Sequence, residues 1–139
     1  ARVGDPRGYQ GWADPAIYDL ARVLRDEPAD AFVSADWGLH TQLFALASAQ
    51  DRRRYRDLWP PFNAKGGLTA AQRERILAED FAGRRVVVIT HAPETTIMND
   101  ARAAYLQLEA EALVATAPVR TIRNAAGQPI YELRAVTMR

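Results

Sequence analysis

The sequence predicts an α/β fold: a three-layer sandwich built on a mainly parallel sheet, with a C-terminal antiparallel hairpin at its edge. Three observations predict it. Two short apolar runs, Ala31 to Ala35 and Val86 to Ile89, are followed by helix-forming stretches. Apolar residues at helical spacing lie before, between and after these runs. Past residue 118 the pattern changes to strand-like runs around a turn-rich loop. The whole chain, 1–139, reads as a single α/β domain, and 1–13 as a lead-in rich in Gly with Tyr9 and Trp12 able to pack back on the body.

Asp14-Pro15 opens the first helix, Asp14 as a cap and Pro15 at the first helical position. Ile17, Leu20, Ala21 and Leu24 then form one apolar face. Pro28 ends the segment, and Ala31 to Ala35 is the first strand. Leu39, Leu43, Leu46 and Ala47 give a second helix closing near Ser48. The second half of Asp51 to Trp59 reads as a charged edge strand stopped by Pro60-Pro61, with a loop from Phe62 to Gly67. Thr69 and Gln72 match a capping box, in which hydroxyl and amide each satisfy a free N–H. The third helix runs to about Glu79, with Ile76 and Leu77 inward and Phe81 packing just past its end.

Val86 to Ile89 is β-branched and apolar on both faces, which places it mid-sheet beside Ala31 to Ala35 and parallel to it. Asn99-Asp100 can cap a fourth helix whose stripe is Ala101, Ala104, Tyr105, Leu108 and Ala112. Val119 to Arg123 and Ile130 to Val136 flank Asn124 to Pro129 as a hairpin.

Composition excludes several classes of function. Eighteen basic residues against seventeen acidic ones leave a net charge of +1, so no overall field favours nucleic acid. There is no cysteine, hence no disulfide, thiolate nucleophile or cysteine-ligated zinc. No run reaches the roughly 20 apolar residues of a membrane span. The start lacks the apolar core of a signal peptide and an initiator Met, as a fragment of a longer chain would.

Ligands of α/β domains bind at the carboxyl ends of strands. That singles out Asp36, Trp37, His40, His91 and Glu94 as ligand-binding candidates. The Asp36 carboxylate could hold a hydroxyl or a metal, or it could cap the helix beginning at Trp37. As a cap it would tolerate Asn and lose stability as Ala. Gly38 would allow close backbone approach there. Trp37 and His40 could line a pocket, or Trp37 could plug the top of the core. His91 could act as a base or be satisfied by backbone groups. Glu94-Thr95-Thr96 could cradle an anion near a helix start.

With two histidines and no HxH or HExxH spacing, no metal site is expected. Lys65-Gly66-Gly67 is not a Walker loop, GxGxxG is absent, and so is the GxSxG elbow. No cofactor is expected. Arg52, Arg53 and Arg54 read as a solvated charge run, with phosphate headgroups as the alternative.

At Phe32-Val33-Ser34-Ala35-Asp36-Trp37-Gly38-Leu39, with Pro15 to Leu20 before it and Val87 to His91 after it, the chain resembles a known kind of domain. It is similar to the soluble carboxyl-terminal domain of bacterial membrane glycosyltransferases of the GT-C type, the protein-mannosyltransferase and aminoarabinose-transferase group. The resemblance implies a non-catalytic extracytoplasmic (periplasmic) domain of a longer membrane protein. Its parent would move a sugar from a polyprenyl-phosphate donor. The family's catalytic acidic residues lie near its first membrane helices, so none carries over to this chain. The implied partners are the membrane domain of the same parent chain and an acceptor glycan or protein. The rival reading is a free-standing small-ligand or nucleotide-binding domain with its crevice at Asp36 and His91.

Overall fold

The computed structural model describes residues 15–94 and 99–139. Its order is α1 (Ala16–Arg25), β1 (Ala31–Ser34), α2 (Leu39–Leu46), a 3-10 turn (Asp51–Arg54), β2 (Tyr55–Asp57), α3 (Trp59–Phe62) and α4 (Ala70–Ile76). A π turn (Leu77–Phe81), β3 (Val86–His91), α5 (Asn99–Ala112), β4 (Leu113–Ala115), β5 (Arg120–Arg123) and β6 (Pro129–Met138) complete it. The fold is α/β around a six-stranded mixed sheet of order β2-β1-β3-β6-β4, with β5 also on β6.

As the apolar runs predict, β1 and β3 are parallel neighbours, Phe32 opposite Val87 and Ser34 opposite Ile89. β3 is buried along its whole length and paired on both edges. The charged run after Asp51 ends in the edge strand β2, parallel to β1. The other half of the sheet is antiparallel and built on β6, which pairs with β3, β4 and β5. The hairpin is therefore present, but only its first strand lies on the edge. β6 is ten residues long, and β5 and β4 share its far side, one after the other. The strand β4 has no turn signal ahead of it: Leu113 to Ala115 leaves α5 without an intervening turn residue.

Alternate residues of the strands serve two clusters. Phe32, Val87, Ile89, Tyr131 and Leu133 pack with Ile17, Leu20 and Leu24 of α1 and Leu39 and Leu43 of α2. Ala31, Val33, Val86, Val88 and Val136 pack with Phe62, Ile76, Phe81, Tyr105 and Leu108. This is the two-residue period of a strand used on both sides, which explains why neither run shows a polar face.

Several local expectations change. Leu46 is exposed, because α2 stops there and Ala47 turns to extended backbone. Pro60-Pro61 does not merely stop β2; it sits in the short helix α3, where the first turn has no N–H to lose. Phe81 lies within the π turn rather than past a helix end, with Ala82 N–H donating to the Leu77 carbonyl at 2.8 Å. That wider turn lets Ile76 and Phe81, five residues apart, face the same core. The Thr69–Gln72 capping box is present as read, with both reciprocal bonds. Asp14, the lead-in and the segment before α5 lie outside the described residues, so the Asp14 cap does too. Asn99 is the first residue of α5 itself.

Arg54 does not belong to a solvated run. Its guanidinium lies 4.6 Å from the centre of the Phe32 ring and donates to the Glu27 and Ala29 carbonyls and to Asp51. It thereby ties the chain after α1 to the start of β2. Among the described residues, no helix is long and apolar enough to cross a membrane.

Candidate functional site

β1 and β3 run parallel, so their carboxyl ends emerge side by side, with Asp36 past one and His91 at the other. The structure brings these two together with Trp37. One Asp36 oxygen, Oδ1, accepts the Trp37 backbone N–H at 2.8 Å, and Oδ2 accepts the His91 backbone N–H at 3.1 Å. The His91 ring returns the link, its Nε2 lying 2.9 Å from the Trp37 carbonyl oxygen. A carbonyl can only accept, so Nε2 donates the proton of this bond. Nδ1 is buried without a hydrogen-bond partner among the described residues. The imidazole packs on the Tyr131 ring, centres 5.6 Å apart. Both Asp36 and His91 are 1% exposed.

Asp36 is therefore not the cap of α2. The N-cap position is taken by Gly38 at φ 76°, with no side-chain cap bond. A capping side chain must reach the second or third N–H of its own helix. Asp36 precedes the cap by two residues and turns its carboxylate across to β3 instead. Gly38 is needed because the chain enters α2 through left-handed backbone, which other residues adopt at a cost.

The remaining candidates stand apart from this arrangement. His40, in the first turn of α2, lays its ring against Phe44 at 5.2 Å. Glu94 is exposed in the turn after β3, and its companions Thr95 and Thr96 lie outside the described residues. Trp37 is half-buried, and its backbone N–H and carbonyl both serve the strand-end linkage. Among the described residues no three His, Asp or Glu side chains group as a metal site.

Two features went unnoticed in the sequence. Beneath α5, Glu132 on β6 takes Arg102 at 2.8 Å and Arg134 at 3.5 Å, while Arg134 also reaches Glu109 at 3.3 Å. The buried Tyr105 hydroxyl donates to Glu109 at 2.8 Å. Burial, then the hydrogen bond and charge of Glu109, push the Tyr105 phenol far up from its ordinary range. The outer side of α5 borders an open groove of about 630 Å³, walled by residues 64–68 and the start of α4. Lys65-Gly66-Gly67, which fits no phosphate motif, forms part of that wall. Periodicity could have pointed to it: Asp100, Ala103, Ala104, Gln107 and Glu111 recur at helical spacing, with Leu108 as the one large apolar residue that α5 adds to the lining.

Set against known proteins, the chain matches no family model, and no curated protein or solved structure matches it.

Proposed function

We propose that this domain is a non-catalytic, extracytoplasmic accessory domain of a membrane glycosyltransferase whose sugar donor is linked to polyprenyl phosphate. What supports the reading most is the state of the strand ends. An enzyme of this architecture needs reactive groups open to substrate at that place. Here Asp36 and His91 are buried, and each is bonded to the backbone of the other's strand end. The Asp36-Trp37-Gly38 turn, the element most like the glycosyltransferase domains, thus works as a fastener of the fold. A shared scaffold has use for such a turn whatever ligand its parent handles.

On this reading the domain sits on the periplasmic side, against the membrane portion of its own parent chain, and serves acceptor binding or loop ordering. The division of β1 and β3 side chains between two clusters also supports a three-layer sandwich, with helices over both faces. Two experiments test the proposal. The gene is expected to encode a series of apolar segments ahead of Ala1, and a start codon just upstream with no such segments would sink it. The purified 139-residue chain is expected to show no turnover of polyprenyl-phosphate-linked or nucleotide-linked sugars. Turnover above a blank would replace this reading with that of a free-standing enzyme.

A further inference from the structure

The groove along α5 has the form of a binding site, and its chemistry narrows the ligand. It follows one face of the helix from Asp100 to Glu111, about 16 Å at 1.5 Å per residue. The volume of about 630 Å³ is in the range of small-molecule sites. Its floor is shallow and small: Ala103 and Ala104, with Leu68 and Leu108 behind them. Polar groups stand around it. Arg73 of α4 meets Glu111 of α5 at 3.1 Å, and Gln107 donates to Glu111 at 3.3 Å, which holds one end in a fixed chain of donors and acceptors. Lys65 and Asp100 make no ion pair or side-chain hydrogen bond among the described residues, and both are exposed.

Two cations face two anions, so the lining offers no net attraction to a phosphate or a polyanion. Donors on Lys65, Arg73 and Gln107 and acceptors on Asp100, Gln107 and Glu111 instead stand together around the apolar floor. A hydroxyl both donates and accepts, and it suits such a lining better than a group that does only one. A peptide is served less well. No sheet edge lines the groove for strand addition, and alanines provide no pockets for the anchors of an amphipathic helix. The geometry points to a neutral oligosaccharide, lying extended along α5 between Lys65 and Glu111, as the ligand of this groove. This inference does not rest on the accessory-domain reading, which turnover and gene structure decide separately.

The test is titration of the ¹⁵N-labelled chain with maltotriose, mannotriose and chitotriose, followed by amide shifts. At least one sugar is expected to move residues 64–68 and the α5 amides from 100 to 111, saturating in the millimolar range. Ala103→Trp puts an indole into the groove from an exposed position and should weaken that sugar by about tenfold or more, a loss of ~1.4 kcal/mol. Gln107→Ala, which changes only an exposed side chain, should weaken it a few-fold and serves if the Trp variant misfolds. Three results would overturn the inference: no groove shifts with any of the three sugars, saturable shifts elsewhere only, or binding unchanged in a folded Ala103→Trp. Movement of the same amides by the peptide Gly-Ser-Gly-Ser-Gly, without a response to sugars, would overturn it in favour of a peptide site.

Discussion

At the ends of β1 and β3, Asp36 and His91 are 1% exposed and direct their polar atoms at backbone groups. On the outer face of α5, Gln107 and Glu111 stand in solvent around a floor of alanine. The first place is where an α/β sheet ordinarily holds its ligand, yet its groups are occupied in joining two strands. The second has no motif, and its groups remain reachable. The difference teaches that position in a fold shows where chemistry is possible, while burial decides whether the groups there are open to it. Mutations should separate the two places sharply: large stability effects at the strand ends, small ones along the groove.

The largest effect is expected at Asp36. Asp36→Ala leaves the His91 and Trp37 N–H groups without their acceptor, and should cost about 2–4 kcal/mol, since each buried unmet group costs roughly 1–3. Asp36→Asn should be nearly as harmful, about 1–3 kcal/mol. Both carboxylate oxygens accept an N–H, so the amide must point its own NH₂ at one of them. This reverses the tolerance of Asn that a helix cap would give. Urea melts decide it, with a lower midpoint at unchanged slope as the expected result. An Asn variant as stable as wild type would break the account of the strand ends as a fastener.

Next in size is the inner face of α5. Glu132→Ala removes the carboxylate between Arg102 and Arg134, whose side chains are 18% and 16% exposed. Two nearly buried cations then face each other's side of the cluster, and the cost should be about 1–3 kcal/mol. The same urea experiment on Glu132→Gln should recover part of the loss, because one oxygen acceptor remains. Equal losses in both variants would mean that packing of the side chain matters more than its hydrogen bonds.

How far the sequence could be read follows from the same contrast. The β1–β3 pair, the α1 stripe and the capping box are local patterns with one physical solution each, so they stand where the residues predict. The interior place of β6 could not be read, because a hairpin's sequence specifies the pairing of its own two strands and says nothing of its third neighbour. β4 was hidden by its length of three residues and by following α5 directly. At the candidate site, proximity of Asp36 and His91 was legible from the parallel strands. The direction of the carboxylate was not, since it depends on Gly38 taking the N-cap in left-handed backbone. Arg54 shows the same limit: a triple-arginine run looks solvated until an aromatic ring and two free carbonyls are folded against its third member.

The buried tyrosines carry a pH dependence of intermediate size. Burial pushes Tyr55 up to about 12, against the opposing charge of Arg54, and Tyr105 rises further. Both phenols keep their protons in the folded chain at a pH where the unfolded chain, with its ordinary value near 10, has lost them. The unfolded state then binds fewer protons, so stability falls as pH rises. For Tyr55 the window is from about pH 10 to about 12. The slope should be ~1.4 kcal/mol per pH unit for each tyrosine. Tyr55→Phe should flatten the alkaline limb of a plot of stability against pH by one such share. An alkaline limb identical to wild type would mean that the ring reaches solvent.

The smallest effects belong to the groove. The Arg73–Glu111 pair has side chains 40% and 43% exposed. Water screens such a pair, so Glu111→Ala should cost less than about 0.5 kcal/mol. Ala103→Trp gives up a few tenths of a kcal/mol in helix propensity. It adds bulk on the exposed side of α5, into the open groove rather than the core around Tyr105. Its melt should therefore lie within about 0.5 kcal/mol of wild type, as surface substitutions generally do. A loss much above that, near the size expected at Asp36, would mean that residues 64–68 close over Ala103 in solution. The outer face of α5 would then be one more packed surface, and the contrast with the strand ends would disappear.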